Sequence, residues 1–240
     1  MTAPALSVVI PAYNEERRLP GTLRSVVEYL RPRGTAFEIL VVDDGSTDGT
    51  AAKVEAFADP AVQLLRGQEN RGKGHAVRTG MLKARGARRL MTDADLSTPI
   101  ADLGRLEEAL GRGFDVAIGS RALPGSNVEV RQGAFREGMG RVFNVGVRLL
   151  LLPDLRDTQC GFKLFTAKAA RVAFGASRLE GFCFDVEALV VARQHGLRIV
   201  EVPVTWRNDI ATRVGLTKGA QAFIDLARIR WSRSRGTYGR

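Results

Sequence analysis

Short, mostly apolar runs alternate with amphipathic stretches through the first half of the chain. Five predicted strands lie at 6–10, 37–42, 62–65, 88–92 and 116–118. Four predicted helices lie between them, at 20–30, 48–57, 74–84 and 99–110. Strands that alternate with helices over short connections favour a mainly parallel, Rossmann-like α/β sheet with helices on both faces.

The second half shows a less regular pattern, with two further amphipathic helices predicted at 135–152 and 220–231. Their polar stripes are Glu137, Arg141, Asn144 and Arg148 on the first helix, and Gln221, Asp225 and Arg228 on the second. Two interpretations stay open for both helices. They pack on the sheet as ordinary amphipathic helices, or they form an interfacial surface with Trp231 and the arginines at headgroup level.

Composition and charge narrow the class of protein. With 240 residues, 45% hydrophobic and 26% charged, the chain has the composition of a folded globular protein. We expect one catalytic domain over 1–210, followed by a basic amphipathic helix and tail over 211–240. No apolar run reaches the roughly 18 residues that a membrane span needs. Cys160 and Cys183 are too few for a disulfide framework, so we expect reduced thiols and a cytoplasmic protein.

The net charge of +10 predicts an anionic partner. No nucleic-acid motif accompanies the charge, so a membrane surface or a phosphate channel is favoured and nucleic acid is not expected.

Polar clusters follow four of the predicted strands, where each strand ends. They are 11–15, 43–46, 93–95 and 119–121. The carboxyl ends of parallel strands form the edge at which an open α/β sheet binds its ligands. The coincidence of four clusters predicts one site at this edge.

The triplet Asp93-Ala94-Asp95 is the predicted metal site. Two carboxylates one residue apart suit Mg²⁺ or Mn²⁺, which take oxygen ligands and keep positions open for substrate phosphates. The alternative is a solvated turn, with Asp95 near a helix N-terminus. The three neighbouring clusters favour the metal.

The first two turns predict a nucleoside site. Where a dinucleotide fold would have glycines, this chain has Pro11, Tyr13 and Glu15, and then Asp43 and Asp44 after the second strand. These acids would repel a pyrophosphate, but carboxylates accept hydrogen bonds from ribose hydroxyls or a base edge.

The diphosphate should then lie towards Asp93, Ala94 and Asp95. Arg121 or Lys73 would supply further positive charge. Lys73 has the alternative of a solvated loop residue.

With these motifs the chain resembles a family 2 glycosyltransferase with the GT-A fold. The resemblance rests on 11–16 (PAYNEE), 42–48 (VDDGSTD) and 93–95 (DAD). It is narrowed by 157–165 (DTQCGFKLF), 184–187 (FDVE) and 201–206 (EVPVTW), which are similar to dolichyl- and polyprenyl-phosphate glucosyltransferases. About residues 5–210 are covered.

That resemblance implies inverting transfer of glucose from UDP-glucose to a polyprenyl phosphate, with Mg²⁺ or Mn²⁺. It also implies that Asp43 or Asp44 holds the uracil, Asp95 the metal and Arg121 phosphate groups. The chain departs from the pattern at 211–214 (ATRV), where relatives often carry Gly-Ser-Lys. Many eukaryotic relatives have an N-terminal membrane helix that this sequence lacks, so we expect peripheral contact with the cytoplasmic face of a membrane.

The acceptor decides whether a general base is needed. A hydroxyl acceptor requires one, and Asp185 or Glu187 is the candidate. A phosphate monoester has a second pKa of about 6 and is already a dianion, so it needs charge neutralisation instead. The candidates to neutralise it are Arg121, Arg131, Arg136, Lys163 and Arg213. We predict that Arg131 and Arg136 bind the acceptor phosphate; the alternative is a solvated basic loop.

Three other functions stay open. One is a GDP-mannose:polyprenyl-phosphate mannosyltransferase, and another is a glycosyltransferase acting on a carbohydrate hydroxyl. The third is a non-catalytic nucleic-acid-binding module driven by the charge, which the acids and the 157–165 run disfavour.

Overall fold

The computed structural model describes residues 3–129, 134–207 and 216–239, without the side chains of 134–139, 141 and 216–220. In the first half, strands and helices alternate as the pattern predicts. The strands are β1 (Leu6–Ala12), β2 (Phe37–Asp43), β3 (Val62–Arg66), β4 (Arg88–Met91) and β5 (Val116–Ser120). The helices are α1 (Leu19–Leu30), α2 (Thr50–Glu55), α3 (Lys73–Lys83) and α4 (Leu103–Gly111), with 3₁₀ turns at Arg31–Arg33 and Ile100–Asp102.

The second half holds both predicted helices and several elements that the pattern did not reveal. In chain order they are β6 (Asn127–Val128), α5 (Ala134–Leu150), β7 (Lys163–Thr166), α6 (Ala167–Ala176), α7 (Phe184–Gln194), β8 (Ile199–Pro203), β9 (Thr205–Trp206) and α8 (Leu216–Ser234). Helix α7 has no amphipathic pattern in the sequence, because it is buried on all sides from Phe184 through Ala192.

The described residues form a sheet in the order β3-β2-β1-β4-β7-β5-β8, with β6 and β9 paired separately. All of its neighbours are parallel except β7, which runs antiparallel to both β4 and β5. The predicted mainly parallel sheet is confirmed. The antiparallel insertion places Lys163 opposite Met91 on one side and Ile118 on the other.

Helices cover both faces of the sheet, as expected. On one face Leu23 of α1 and Leu106 of α4 join the apolar cluster. On the other face the cluster contains residues of α3, α5, α6, α7 and α8. Because every parallel strand points the same way, β1, β2, β4 and β5 all end at one edge, and the polar turns meet there.

Helix α8 is built into the main body of the chain. Leu226 and Ile229 are buried in the same cluster as α5 and α7, and the Tyr238 hydroxyl donates to Glu187 Oε1 at 2.9 Å. The predicted boundary at 210 falls outside the described residues. None of the helices in the described part of the chain has the length and apolar character to cross a membrane.

Candidate active site

Two adjoining cavities open at the carboxyl edge of the sheet. The larger, of about 570 Å³, lies beside the turns after β1, β2 and β4. The smaller, of about 170 Å³, lies on the side of β5 and β9. Lys73, Asp93 and Asp95 line both of them. These three side chains therefore stand where the two cavities meet.

The turn after β1 forms one wall of the larger cavity. Pro11, Tyr13 and Glu15 line the cavity, as predicted for a nucleoside site. The Glu15 carboxylate is held by Arg18, whose Nε and Nη2 donate at 2.6 Å each. The Glu15 backbone N–H donates to Thr50 Oγ1 at 2.7 Å, which ties the turn to the start of α2.

Of the two acids at the end of β2, Asp43 and Asp44, only Asp44 lines the larger cavity. Asp44 Oδ1 accepts from the Arg71 N–H at 3.2 Å, and Oδ2 accepts from the Gly72 N–H at 2.7 Å. Asp43 is buried, and its Oδ1 accepts from the Ser46 N–H at 3.0 Å. The structure therefore gives Asp43 a turn-forming role and leaves Asp44 as the acid of this turn in the cavity wall.

The segment before α3 is pressed against the loop before α7. Gly72 has φ +113°, and a Cβ at this position would overlap the Glu180 carbonyl. The next glycine, Gly74, donates its N–H to the same carbonyl at 2.8 Å. This close approach fixes the first residue of α3, Lys73, at the meeting point of the cavities.

Asp93 and Asp95 stand on a tight turn after β4. Leu96 has φ +45°, and the Ser97 N–H donates to Asp95 Oδ1 at 2.9 Å. Thr22 of α1 donates to the Ala94 carbonyl at 2.5 Å. These bonds hold the turn so that both acids face the cavities.

The arrangement fits the predicted Mg²⁺ or Mn²⁺. A Cβ added to Gly161 would overlap the Asp93 carboxylate, so glycine keeps that space free for the acid. A cation already lies there, since Lys73 Nζ is 2.6 Å from Asp93 Oδ1. Within the described residues no three His, Cys, Asp or Glu side chains are grouped to hold a metal. Two carboxylates suffice where substrate phosphates complete the coordination, which is how Mg²⁺ is commonly bound.

Lys73 is charged in this setting. Burial lowers the pKa of Lys73, but Asp93, assisted by Asp185 and Asp95, outweighs it and leaves the pKa raised. The ammonium thus brings a permanent positive charge to the place where the diphosphate was predicted.

Arg121 lies in the wall of the smaller cavity and is rigidly held. Its Nε and Nη2 donate to the two oxygens of Asp157 at 2.7 and 2.8 Å, and its Cζ stands 5.3 Å from the centre of the Trp206 ring. Burial lowers the pKa of Arg121, but Asp157 outweighs it and raises the pKa further above its ordinary value. Arg121 is therefore a fixed cation in the wall of the smaller cavity.

The smaller cavity reaches down to a buried ion pair. Asp185 lines the cavity, and its Oδ2 is 3.5 Å from Lys163 Nζ. Burial raises the pKa of the Asp185 carboxyl, and the nearby Lys163 and Lys73 only partly oppose that shift. Asp185 is thus the predicted base candidate that the structure brings to the site.

Two predictions need correction here. Lys163 is only 1% exposed and donates to the Cys160 carbonyl at 2.5 Å, so its ammonium faces the interior and is not presented to an acceptor phosphate. Glu187 is buried away from both cavities; its Oε2 accepts from the backbone N–H groups of Arg178 and Leu179 at 2.8 and 2.7 Å. Glu187 therefore shapes the loop before α7 and is not a candidate base.

Three predicted acceptor residues lie outside the described part of the chain. They are Arg131, Arg213 and the side chain of Arg136. Their proposed contact with an acceptor phosphate stays a prediction.

The cavities also contain residues that the sequence did not single out. Gln159 and Trp206 line the smaller cavity, and Phe182 lines both. Gln159 and Trp206 belong to the 157–165 and 201–206 runs, so the motif carried a signal for them. Asp225 of α8 lines the larger cavity, and only its place in a polar stripe marked it beforehand.

The mainly parallel sheet, with acidic turns at its carboxyl edge, is a GT-A fold. This fold is found in transferases that act on activated sugars. Comparison with known proteins identifies the family. The sequence profile of glycosyl transferase family 2 matches residues 7–174, and this chain belongs to that family. It is a glycosyltransferase.

Two curated relatives are similar over most of the chain. A dolichyl-phosphate beta-glucosyltransferase of Trichomonas vaginalis is 36% identical, covering 93% of this chain and 72% of the relative. One of Dictyostelium discoideum is 35% identical, covering 94% and 74%. A solved glucosyl-3-phosphoglycerate synthase from Mycobacterium tuberculosis, in complex with Mn²⁺, UDP and glucosyl-3-phosphoglycerate, has the same fold. It superposes with a TM-score of 0.68 at 20% identity, covering 96% of this chain and 80% of that one.

Proposed function

We propose that this chain transfers glucose from UDP-glucose to a polyprenyl phosphate of the dolichyl type, with inversion at the anomeric carbon. The observation that carries the proposal is the meeting of two cavities at Asp93, Asp95 and Lys73. The larger cavity, with Pro11, Tyr13 and Asp44 in its wall, suits a nucleoside, and the smaller cavity suits a hexose. The names of the curated relatives, which are dolichyl-phosphate beta-glucosyltransferases, support the choice of sugar and acceptor.

The donor would lie across both cavities. Its nucleoside would lie against Pro11, Tyr13 and Asp44, and its diphosphate beside Lys73. Asp93 and Asp95 would hold Mg²⁺ or Mn²⁺, which supplies Lewis-acid stabilisation of the diphosphate leaving group when bound. The solved neighbour from Mycobacterium tuberculosis carries Mn²⁺ and UDP together, which is consistent with this assignment.

The transfer needs no proton to be removed. One oxygen of the acceptor phosphate attacks the anomeric carbon as the bond from that carbon to the UDP oxygen breaks, and the electron pair leaves with UDP. The acceptor is a dianion near neutral pH, because a phosphate monoester has a second pKa of about 6. Arg121 would stabilise the negative charge that gathers around the reaction centre, assisted by Arg131, Arg136 and Arg213.

A second function is favoured by one observation. The raised pKa of Asp185 beside the smaller cavity is what a general base for a hydroxyl acceptor would need. In phosphate transfer the same side chain would instead orient the hexose by hydrogen bonds to its hydroxyls.

The assay that separates these functions varies donor and acceptor independently. The protein is incubated with Mg²⁺ or Mn²⁺, a short polyprenyl phosphate, and either UDP-glucose, UDP-galactose or GDP-mannose, and the lipid product is analysed. We expect a β-glucosyl phosphate lipid from UDP-glucose and little from the others. Asp185→Asn should keep measurable transfer to the phosphate, because no base is required there.

Two outcomes would contradict the proposal. Turnover with GDP-mannose but not with UDP-glucose would show that GDP-mannose, and not UDP-glucose, is the donor. Transfer to a free oligosaccharide but not to the lipid phosphate, abolished by Asp185→Asn, would establish the hydroxyl-acceptor function instead.

The lipid acceptor implies a membrane partner, and α5 and α8 offer a surface for it. The two helices contact one another through Phe143 and Phe223, whose rings meet edge-to-face at 5.8 Å. Together they expose the apolar side chains Val142, Val145, Leu149, Phe223, Ile224 and Trp231, with Leu149 79% exposed. Arg235 Cζ lies over the Trp231 ring, 4.1 Å from its centre, which places a cation on the face of the aromatic ring. An apolar patch with an arginine on its exposed tryptophan suits the headgroup region of an anionic membrane.

We therefore expect the protein to sediment with vesicles of phosphatidylcholine and anionic phosphatidylglycerol. The double variant Leu149→Glu, Trp231→Glu should weaken vesicle binding at least about 10-fold, since each change removes a buried apolar contact with the lipid. The double variant Leu82→Glu, Val128→Glu is the matched control, because it adds the same charge at exposed apolar residues of α3 and β6, outside this patch. Equal binding by the double variant and the control would exclude the α5–α8 surface. Contact with the cytoplasmic face stays part of the proposal.

A further inference from the structure

Helix α8 forms part of the wall of the larger cavity. Gln221, Ala222 and Asp225 line the cavity from this helix. The helix is anchored by its buried Leu226 and Ile229, and the Cys183 thiol donates to the Ala222 carbonyl at 3.5 Å. The C-terminal segment is thus in a position to contact whatever occupies the cavity.

The other acids of the larger cavity are already engaged. Glu15 is bound by Arg18 through both oxygens. Both oxygens of Asp44 accept backbone N–H groups, and Asp93 faces the Lys73 ammonium at 2.6 Å. Asp95 belongs to the proposed metal site. These four carboxylates keep the cleft in shape or bind cations.

Asp225 differs from them in how its oxygens are used. Its Oδ1 accepts from Gln221 Nε2 at 3.0 Å and from Arg228 Nη1 at 3.3 Å. Its Oδ2 faces Gly181, 4.0 Å from where a Cβ of that residue would stand, and accepts no bond from the described residues. The residue is only 5% exposed and lines the larger cavity, so this oxygen is reached from the cavity side, where a bound ligand would take the place of water.

The chemistry of the cavity limits what this oxygen can accept. An anionic phosphate next to it would be repelled by the carboxylate, whose other oxygen already pairs with Arg228. A neutral ligand group that donates hydrogen bonds is needed. A ribose offers two neighbouring hydroxyls, each of which can donate to a carboxylate oxygen.

We propose that Asp225 accepts hydrogen bonds from the ribose hydroxyls of the bound nucleotide, so that α8 forms part of the nucleotide site. This inference rests on the proposed nucleotide-sugar donor. It does not depend on which base the donor carries, because UDP and GDP have the same ribose.

Calorimetric titration with modified nucleotides tests this contact directly. The full chain, with saturating Mn²⁺, is titrated with UDP, GDP and 2′,3′-dideoxy-UDP. The wild type should bind UDP roughly 10- to 100-fold more tightly than the dideoxy analogue, as expected for hydrogen bonds to a charged group. Asp225→Ala should weaken UDP binding by a similar factor and should bind the two uridine nucleotides alike.

Asp225→Asn and Asp154→Asn complete the design. Asp225→Asn preserves the shape of the side chain and should lose part of the preference for UDP over the dideoxy analogue. Such a loss would be due to the hydrogen bond and not to a packing defect. Asp154→Asn removes a carboxylate that pairs with Arg193 on the surface and should leave both affinities unchanged. If Asp225→Ala prefers UDP over the dideoxy analogue as strongly as the wild type does, the role of Asp225 is overturned and the proposed function is unaffected. A wild type that binds neither UDP nor GDP would overturn the proposed function and the inference together.

Discussion

Replacing Asp95 by asparagine is expected to lower kcat for sugar transfer by about 10²- to 10³-fold. Asparagine keeps an oxygen that can accept from the Ser97 N–H, which donates to Asp95 Oδ1 at 2.9 Å, so the turn should survive. It removes the negative charge that a divalent cation requires from a hard oxygen ligand. The expected loss of kcat therefore comes from weaker metal binding and not from unfolding of the turn.

A direct measurement of metal binding separates those two causes. Mn²⁺ binding in the presence of UDP, followed by electron paramagnetic resonance, should weaken by roughly 10- to 100-fold in Asp95→Asn. The thermal midpoint of unfolding should stay near that of the wild type. Asp154→Asn, on the surface, should keep both activity and Mn²⁺ affinity. Wild-type kcat and Mn²⁺ affinity in Asp95→Asn would exclude Asp95 as a metal ligand.

Asp157→Asn is expected to reduce the free energy of unfolding by about 2–4 kcal/mol near neutral pH. The change leaves the Arg121 guanidinium without the carboxylate that accepts from its Nε and Nη2 at 2.7 and 2.8 Å. We place the loss slightly below that of a fully buried pair, because the Arg121 side chain is partly exposed at 28%. Transfer activity should fall as well, since Arg121 loses its fixed orientation.

The pH dependence of this effect has a definite sign. Burial raises the pKa of the Asp157 carboxyl, but Arg121 outweighs it and the net pKa is lowered. A lowered folded-state pKa stabilises the protein fully above the unfolded value of about 3.9, and this contribution is lost as the pH falls through the folded value. The stability gap between wild type and Asp157→Asn should therefore narrow in acid.

Urea unfolding at neutral and at acid pH measures this gap. The surface pair of Arg193 and Asp154, 2.6 Å apart, provides the control. Breaking it with Asp154→Asn should change the free energy of unfolding by no more than about 1 kcal/mol. A gap for Asp157→Asn as small as that of the surface control would contradict the structural importance of the Arg121 pair.

The sequence predicts the first half of the fold well because two local signals agree there. Apolar strands and amphipathic helices alternate, and each strand ends in a polar turn, so Asp44, Asp93 and Asp95 are found before any coordinates exist. The parallel arrangement then brings these turns to one edge of the sheet.

The parts that were missed depend on contacts between distant segments. Strand β7 is four residues long and begins with a lysine, so its place between β4 and β5 has no local signature. Lysine is rarely buried, and the burial of Lys163 follows only from Asp185 and the Cys160 carbonyl being brought to it by other elements. Tertiary packing likewise decides that Asp44 and not Asp43 lines the larger cavity, and that α8 reaches this cavity.

The contact between Lys73 and Asp93 would affect the order in which the proposed ligands bind. Because the cleft carries its own counter-ion, a carboxylate of the proposed metal site is paired with an ammonium before any ligand arrives. At the proposed site a divalent cation alone would compete with this ammonium and would gain little from Asp93. A diphosphate would give the ammonium another anion to bind and would release the carboxylate at the same time. In the proposed function Lys73 would therefore make the binding of cation and nucleotide cooperative.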